Sequence, residues 1–88
     1  MFDLKFSKQV KKFIEKQDKK TKKRFKDIFQ KLAENPHRED IDIKKMTNSK
    51  FFRLRISKYR FLYFIEEDKL LIVVEEGDSR GDVYKKRS

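Results

Sequence analysis

Cysteine is absent from this 88-residue chain, which excludes a disulfide framework or a cysteine-bound metal and fits a reducing compartment. Histidine and proline occur once each, as His37 and Pro36, and glycine only at Gly77 and Gly81. Long hydrophobic runs are missing too. The longest, Phe61–Ile65 and Leu70–Val74, suit strands and are far too short to span a bilayer. The start, Met1-Phe2-Asp3-Leu4-Lys5, lacks the apolar core of a secretory signal, so a cytoplasmic location away from membranes is expected. A chain of this length is expected to form a single domain over residues 1–88, with one modest core.

What is present is positive charge. Lysine and arginine number 25 against 15 acidic residues, a net of +10, which points to a polyanionic partner and to nucleic acid before a membrane surface. Much of the excess lies early: from Lys5 to Lys26 there are eleven basic residues against Glu15 and Asp18. Nine phenylalanines and clear periodicity argue against a disordered basic tail.

Phe2, Leu4 and Phe6 alternate with polar residues as in a short strand. Ser7 is placed to cap a helix starting at Lys8, in which Val10, Phe13, Ile14 and Gln17 share a face. After a break near Gln17–Lys20, a second helix buries Phe25, Ile28, Phe29 and Leu32 and stops at Asn35, because Pro36 disfavours helical backbone before it. The two read as an αα-hairpin. His37–Asp42 is a polar loop, so His37 reads as a solvated histidine, and Ile41–Met46 has room for a short extended segment. From Phe51 the period falls to two. Strands are expected at Phe51–Ile56, Tyr59–Glu66 and Leu70–Glu75, with a turn at Glu67-Asp68 and a last helical turn over Gly81–Lys86. The third, almost wholly apolar, should be covered on both faces. The order β-α-α-β-β-β predicts an α+β domain, its helical hairpin packed on one face of a small, mainly antiparallel, twisted sheet. The opposite face stays open. Arg53 and Arg55, two apart, project together from one side of their strand, with Arg60 close behind.

These segments in this order resemble the RelE/ParE superfamily of toxins, the RelE branch in particular. The residues that carry the resemblance are KLAENP (Lys31–Pro36), Lys44-Lys45-Met46, FFRLRISKYRFLYFIEEDKLLIVVEEG (Phe51–Gly77) and RGDVYK (Arg80–Lys85). The resemblance implies a ribosome-dependent endoribonuclease that cuts mRNA in the A site. It also implies a cognate RelB-like antitoxin, a toxin that is monomeric until bound by it, and no cofactor or metal. Two alternatives stay open: a ParE-like module that inhibits gyrase without nuclease activity, and a weakly active or inactive RelE-like RNA-binding protein.

Cleavage of RNA by its own 2′-hydroxyl requires in-line positioning, neutralisation of charge on the phosphorane, and proton transfers at two oxygens. By the resemblance, Arg60 follows the strand tyrosine and stabilises the phosphate. Arg53 and Arg55 match two basic strand positions, Arg80 a basic position near the end, and Tyr84 a residue that stacks on a base or shares in proton transfer. Lys50, Lys58, Lys85 and Lys86 are further RNA-binding candidates, and the lysine faces of both helices suit ribosomal RNA. Two departures stand out. Well-studied members carry lysines where this chain has Arg53 and Arg55, and arginine is a poor general base. Asp78 stands where some relatives have a further arginine.

Overall fold

The computed structural model describes residues 1–79, so the helical turn expected over Gly81–Lys86 lies outside the described residues. The chain begins with strand β1 (Asp3–Phe6), helix α1 (Lys8–Glu15) and helix α2 (Lys19–Glu34). Four strands follow: β2 (Asp42–Lys45), β3 (Phe52–Ile56), β4 (Tyr59–Glu66) and β5 (Leu71–Ser79). They form one sheet in the order β1-β5-β4-β3-β2, with β1 parallel to β5 and the other pairs antiparallel. The fold is therefore α+β, two helices on a mixed five-stranded sheet. The extended segment allowed at Ile41–Met46 is the edge strand β2. Among the described residues no helix is long and apolar enough to cross a membrane.

Local signals place the helices. The Ser7 hydroxyl accepts the Val10 amide at 3.2 Å and donates to the Glu75 carbonyl at 2.7 Å, so one residue caps α1 and ties it to β5. Asp18 caps α2 by accepting the Thr21 amide at 2.8 Å, and that bond holds its carboxyl below the usual range. Its capping contribution is therefore present above the ordinary carboxylate pKa and fades as pH falls through the lowered folded value. At the other end α2 stops at Asn35, whose side chain accepts the His37 amide at 3.0 Å.

The core lies between the helices and one face of the sheet. Phe61, in β4, is fully buried and meets Phe13, Phe25 and Phe29 edge to face, with centroids 5.8, 5.1 and 4.9 Å away. Ile72 and Val74 are buried on this side of β5, while Val73, 8 % exposed, is covered on the other. The expected double coverage of that strand is present.

β5 continues past Glu75 to Ser79, pairing with β4 on both sides of a bulge. Leu62 faces Glu76 and Tyr63 faces Val74, leaving Glu75 as the extra residue. Two residues further on, the Gln9 side-chain amide donates to the Gly77 carbonyl at 2.8 Å and accepts its N–H at 2.9 Å. A Cβ at Gly77 would stand 2.7 Å from the Phe61 ring and 3.1 Å from that of Phe13. Gly77→Ala is expected to cost about 1–3 kcal/mol through this overpacking, measured by chemical denaturation.

Tyr63 is also fully buried, stacked on Phe52 at 5.3 Å, and its hydroxyl has no hydrogen-bond partner among the described residues. Burial pushes its pKa up. Tyr63→Phe removes an unsatisfied group, so stability should hold or rise by up to about 1 kcal/mol in the same assay.

Candidate nucleic-acid interface

Strand pairing brings the arginines together on the face away from the helices. Leu54 and Ile56 point into the core, so Arg53 and Arg55 alternate to the open side of β3. Arg55 lies directly opposite Arg60 of β4. Arg55 in turn faces Asp42 of β2, and Arg60 faces Asp78 of β5. One row across four strands thus reads Asp42, Arg55, Arg60, Asp78. The next row is Lys44, Arg53, Leu62, Glu76.

Two arginines directly opposite each other repel, which costs the free protein stability on the scale of a cross-strand pair, ~0.2–1 kcal/mol. An anion between them removes that repulsion. Asp42 and Asp78 bracket the pair, so the row carries two positive charges at its centre and two negative charges at its ends. Arg53 is held more tightly: its guanidinium stands 3.5 Å from the Asp42 carboxylate and its side chain is only 20 % exposed, although its buried Nε has no hydrogen-bond partner among the described residues. Arg55 is exposed, and Arg60 is half-buried with interactions of its own.

The other sequence candidates fall in different places. Lys58 lies in the two-residue turn between β3 and β4, its ammonium 5.5 Å from the Tyr59 ring centroid, and Ser57 there takes a left-handed φ of 54°. Lys50 stands at the opposite end of β3, 4.1 Å above the Phe64 ring. Of these two RNA-binding candidates, Lys58 is therefore at the arginine end and Lys50 is not. Arg80, Tyr84, Lys85 and Lys86 lie outside the described residues. His37 is exposed and stands 3.9 Å from Glu67, which follows β4 at the far end from Arg60. The helix lysines, among them Lys8, Lys11, Lys12, Lys19 and Lys23, are exposed on the helical layer, across the sheet from the arginines.

A groove of about 460 Å³ opens between β1 and α2, lined largely by apolar residues that include Phe2, Phe6, Phe25 and Ala33. Among the described residues its lining includes Lys22 and Lys26 and no arginine. Sequence reasoning singled out Asp78 but gave Asp42, Phe51 and Phe64 no part on the open sheet face. Alternation alone puts Phe64 on the side of Arg60 and Phe51 on the side of Arg53 and Arg55; the place of Asp42 needed the register.

An exposed Arg55 opposite a half-buried Arg60 on a mixed five-stranded sheet, backed by two helices, marks a small basic α+β protein. The sequence pattern of the family described as the ParE toxin of type II toxin-antitoxin system, parDE, matches residues 2–82. The RelE1 toxin of Methanocaldococcus jannaschii is 30% identical over 86 residues, covering 96% of each chain. The fold is similar to that in the archaeal RelE–RelB complex of Pyrococcus horikoshii, with a TM-score of 0.80, 26% identity, and 91% and 96% of the two chains covered. The isolated Escherichia coli RelE toxin has the same fold at a TM-score of 0.72 and 20% identity, with 99% and 95% covered. The chain belongs to the ParE/RelE family of toxins of type II toxin–antitoxin systems, and it is a toxin of the RelBE type.

Proposed function

We propose that this toxin is a ribosome-dependent endoribonuclease acting in the cytoplasm on mRNA in the ribosomal A site. The observation that carries the reading is the opposed pair Arg55–Arg60 on the open sheet face. Planar guanidinium forks suit the non-bridging oxygens of a phosphodiester. Arg60, in the middle strand of the sheet, has the firmer scaffold and stabilises the phosphorane. Arg55 and Arg53 complete the positive field, and Arg80 and Tyr84 supply a further phosphate contact and a stacking or proton-transferring ring. In the reaction the 2′-oxygen loses its proton and bonds to phosphorus as the P–O5′ bond breaks. A 2′,3′-cyclic phosphate remains, and a proton goes to the departing 5′-oxygen. No metal takes part in this scheme.

The exposed lysines of α1 and α2 dock on ribosomal RNA, giving affinity that falls with salt. A RelB-like antitoxin is the inhibitory partner; the archaeal relative of similar fold occurs as a complex with RelB. The toxin is monomeric outside such a complex. The decisive experiment is to incubate the purified protein with translating ribosomes and map the mRNA 5′ ends. New ends in the A-site codon support the reading, and intact mRNA beside an active relative rejects it.

The family description names ParE, which supports a second reading as a gyrase inhibitor. Inhibition of gyrase supercoiling in vitro, with mRNA left intact, would reverse the order of the two.

A further inference from the structure

We infer that Phe51 and Phe64, with the Lys50 ammonium above them, form a nucleobase-stacking subsite next to the arginine rows. The inference rests on the RNA-cleaving reading and adds how the bound strand is held. Phe51 directly precedes β3, and Phe64 stands in β4 on the same open face as Arg60 and Leu62. Their centroids are 5.7 Å apart and their planes nearly perpendicular at 87°. Both rings are half-buried, and both are separated by the sheet from the phenylalanine cluster of the core. They form a third row with Val73, which faces Phe64 across β5.

Lys50 marks the pair as more than an apolar cross-strand contact. Its ammonium lies 4.1 Å from the Phe64 centroid and 5.8 Å from that of Phe51. A cation beside two ring faces serves both halves of a nucleotide, the base by stacking and cation–π attraction and the flanking phosphate by charge. The distances along the sheet also agree. At about 3.4 Å per residue, Phe51 is about 7 Å from Arg53 and about 14 Å from Arg55, a span suited to successive units of an extended single strand. With a phosphate on Arg55 and Arg60, a neighbouring unit passes Arg53 and its base reaches the rings. Every base has a π face, so this subsite grips without reading sequence. Opposite charge on the ligand suits a face that carries Lys44, Arg53, Arg55 and Arg60 beside Lys50.

The test measures fluorescence anisotropy of the full chain with two labelled probes of equal length, a single-stranded RNA and its abasic counterpart. The unsubstituted protein is expected to bind the base-bearing strand roughly ten-fold more tightly. Phe64→Leu and Phe51→Leu, each checked for folding by circular dichroism, should lose most of that preference and bind the abasic strand as before. Phe64→Tyr should keep it. Lys50→Gln should weaken both probes and lower the salt slope by about one. Equal binding of the two probes by the unsubstituted protein overturns the subsite and leaves the row to a protein partner, as does a preference that survives both leucine substitutions. Binding of neither probe overturns the RNA reading itself, so the two failures are told apart.

Discussion

Arg60→Ala is expected to slow mRNA cleavage on translating ribosomes by about 10²–10³-fold, the usual loss when one preorganised donor to a developing oxyanion is removed. The reasoning starts from position. Arg60 is in β4, the middle strand of the sheet, flanked on both sides by paired strands, so its backbone has little freedom to drift from the substrate. It stands opposite Arg55 on one side and Asp78 on the other. Arg60→Lys should recover only part of the rate, since an ammonium keeps the charge and loses the fork. Single-turnover cleavage, followed by primer extension, gives the rate, and a melting curve checks the fold. A rate unchanged in a folded Arg60→Ala protein would remove Arg60 from the site.

The second large effect concerns stability. Phe61→Ala should cost about 3–5 kcal/mol, the range for emptying a buried phenylalanine site. Phe61 is on the opposite face of the same strand, fully buried, and its ring is the common neighbour of Phe13, Phe25 and Phe29. Two of these belong to α2 and one to α1, so the cavity would loosen both helices from the sheet at once. Against a typical total of about 5–15 kcal/mol for a small domain, that is a large share. Thermal unfolding should show a fall of at least about 12 °C. A smaller shift would mean that the neighbouring rings close the space. Arg60 and Phe61 are adjacent in sequence, yet one substitution should remove activity with the fold kept, and the other should weaken the fold itself.

That contrast was legible in the sequence. The period of two in FFRLRIS and YRFLYFI sends Arg53, Arg55 and Arg60 to one side and Leu54, Ile56 and Phe61 to the other. The helices were legible for the same kind of reason: Ser7 offers the first a cap and Val10 a buried face, while Phe25, Phe29 and Leu32 give the second an apolar stripe and Pro36 a stop, each signal local to its own helix. Strand β2 was only partly legible, because the exposed Asp42, Lys44 and Lys45 surround Ile43 and leave little apolar alternation to see.

The sequence by itself determined the elements, the two chemically different sides of the sheet and the basic character of the surface, since each depends on local periodicity and composition. Only the tertiary structure decided what stands beside what. Asp78 shows the reason most clearly. Alternation continued from Val73 would put Glu75 and Gly77 on the arginine face; the bulge at Glu75 puts Glu76 and Asp78 there instead, with Asp78 opposite Arg60. That shift is held by Ser7 on Glu75 and by Gln9 on Gly77, contacts between residues 68 apart in the chain. A strand's alternation is a property of its own backbone. Its register and its bulges are set by partners far along the chain, and that is where the flanks of the arginine pair were decided.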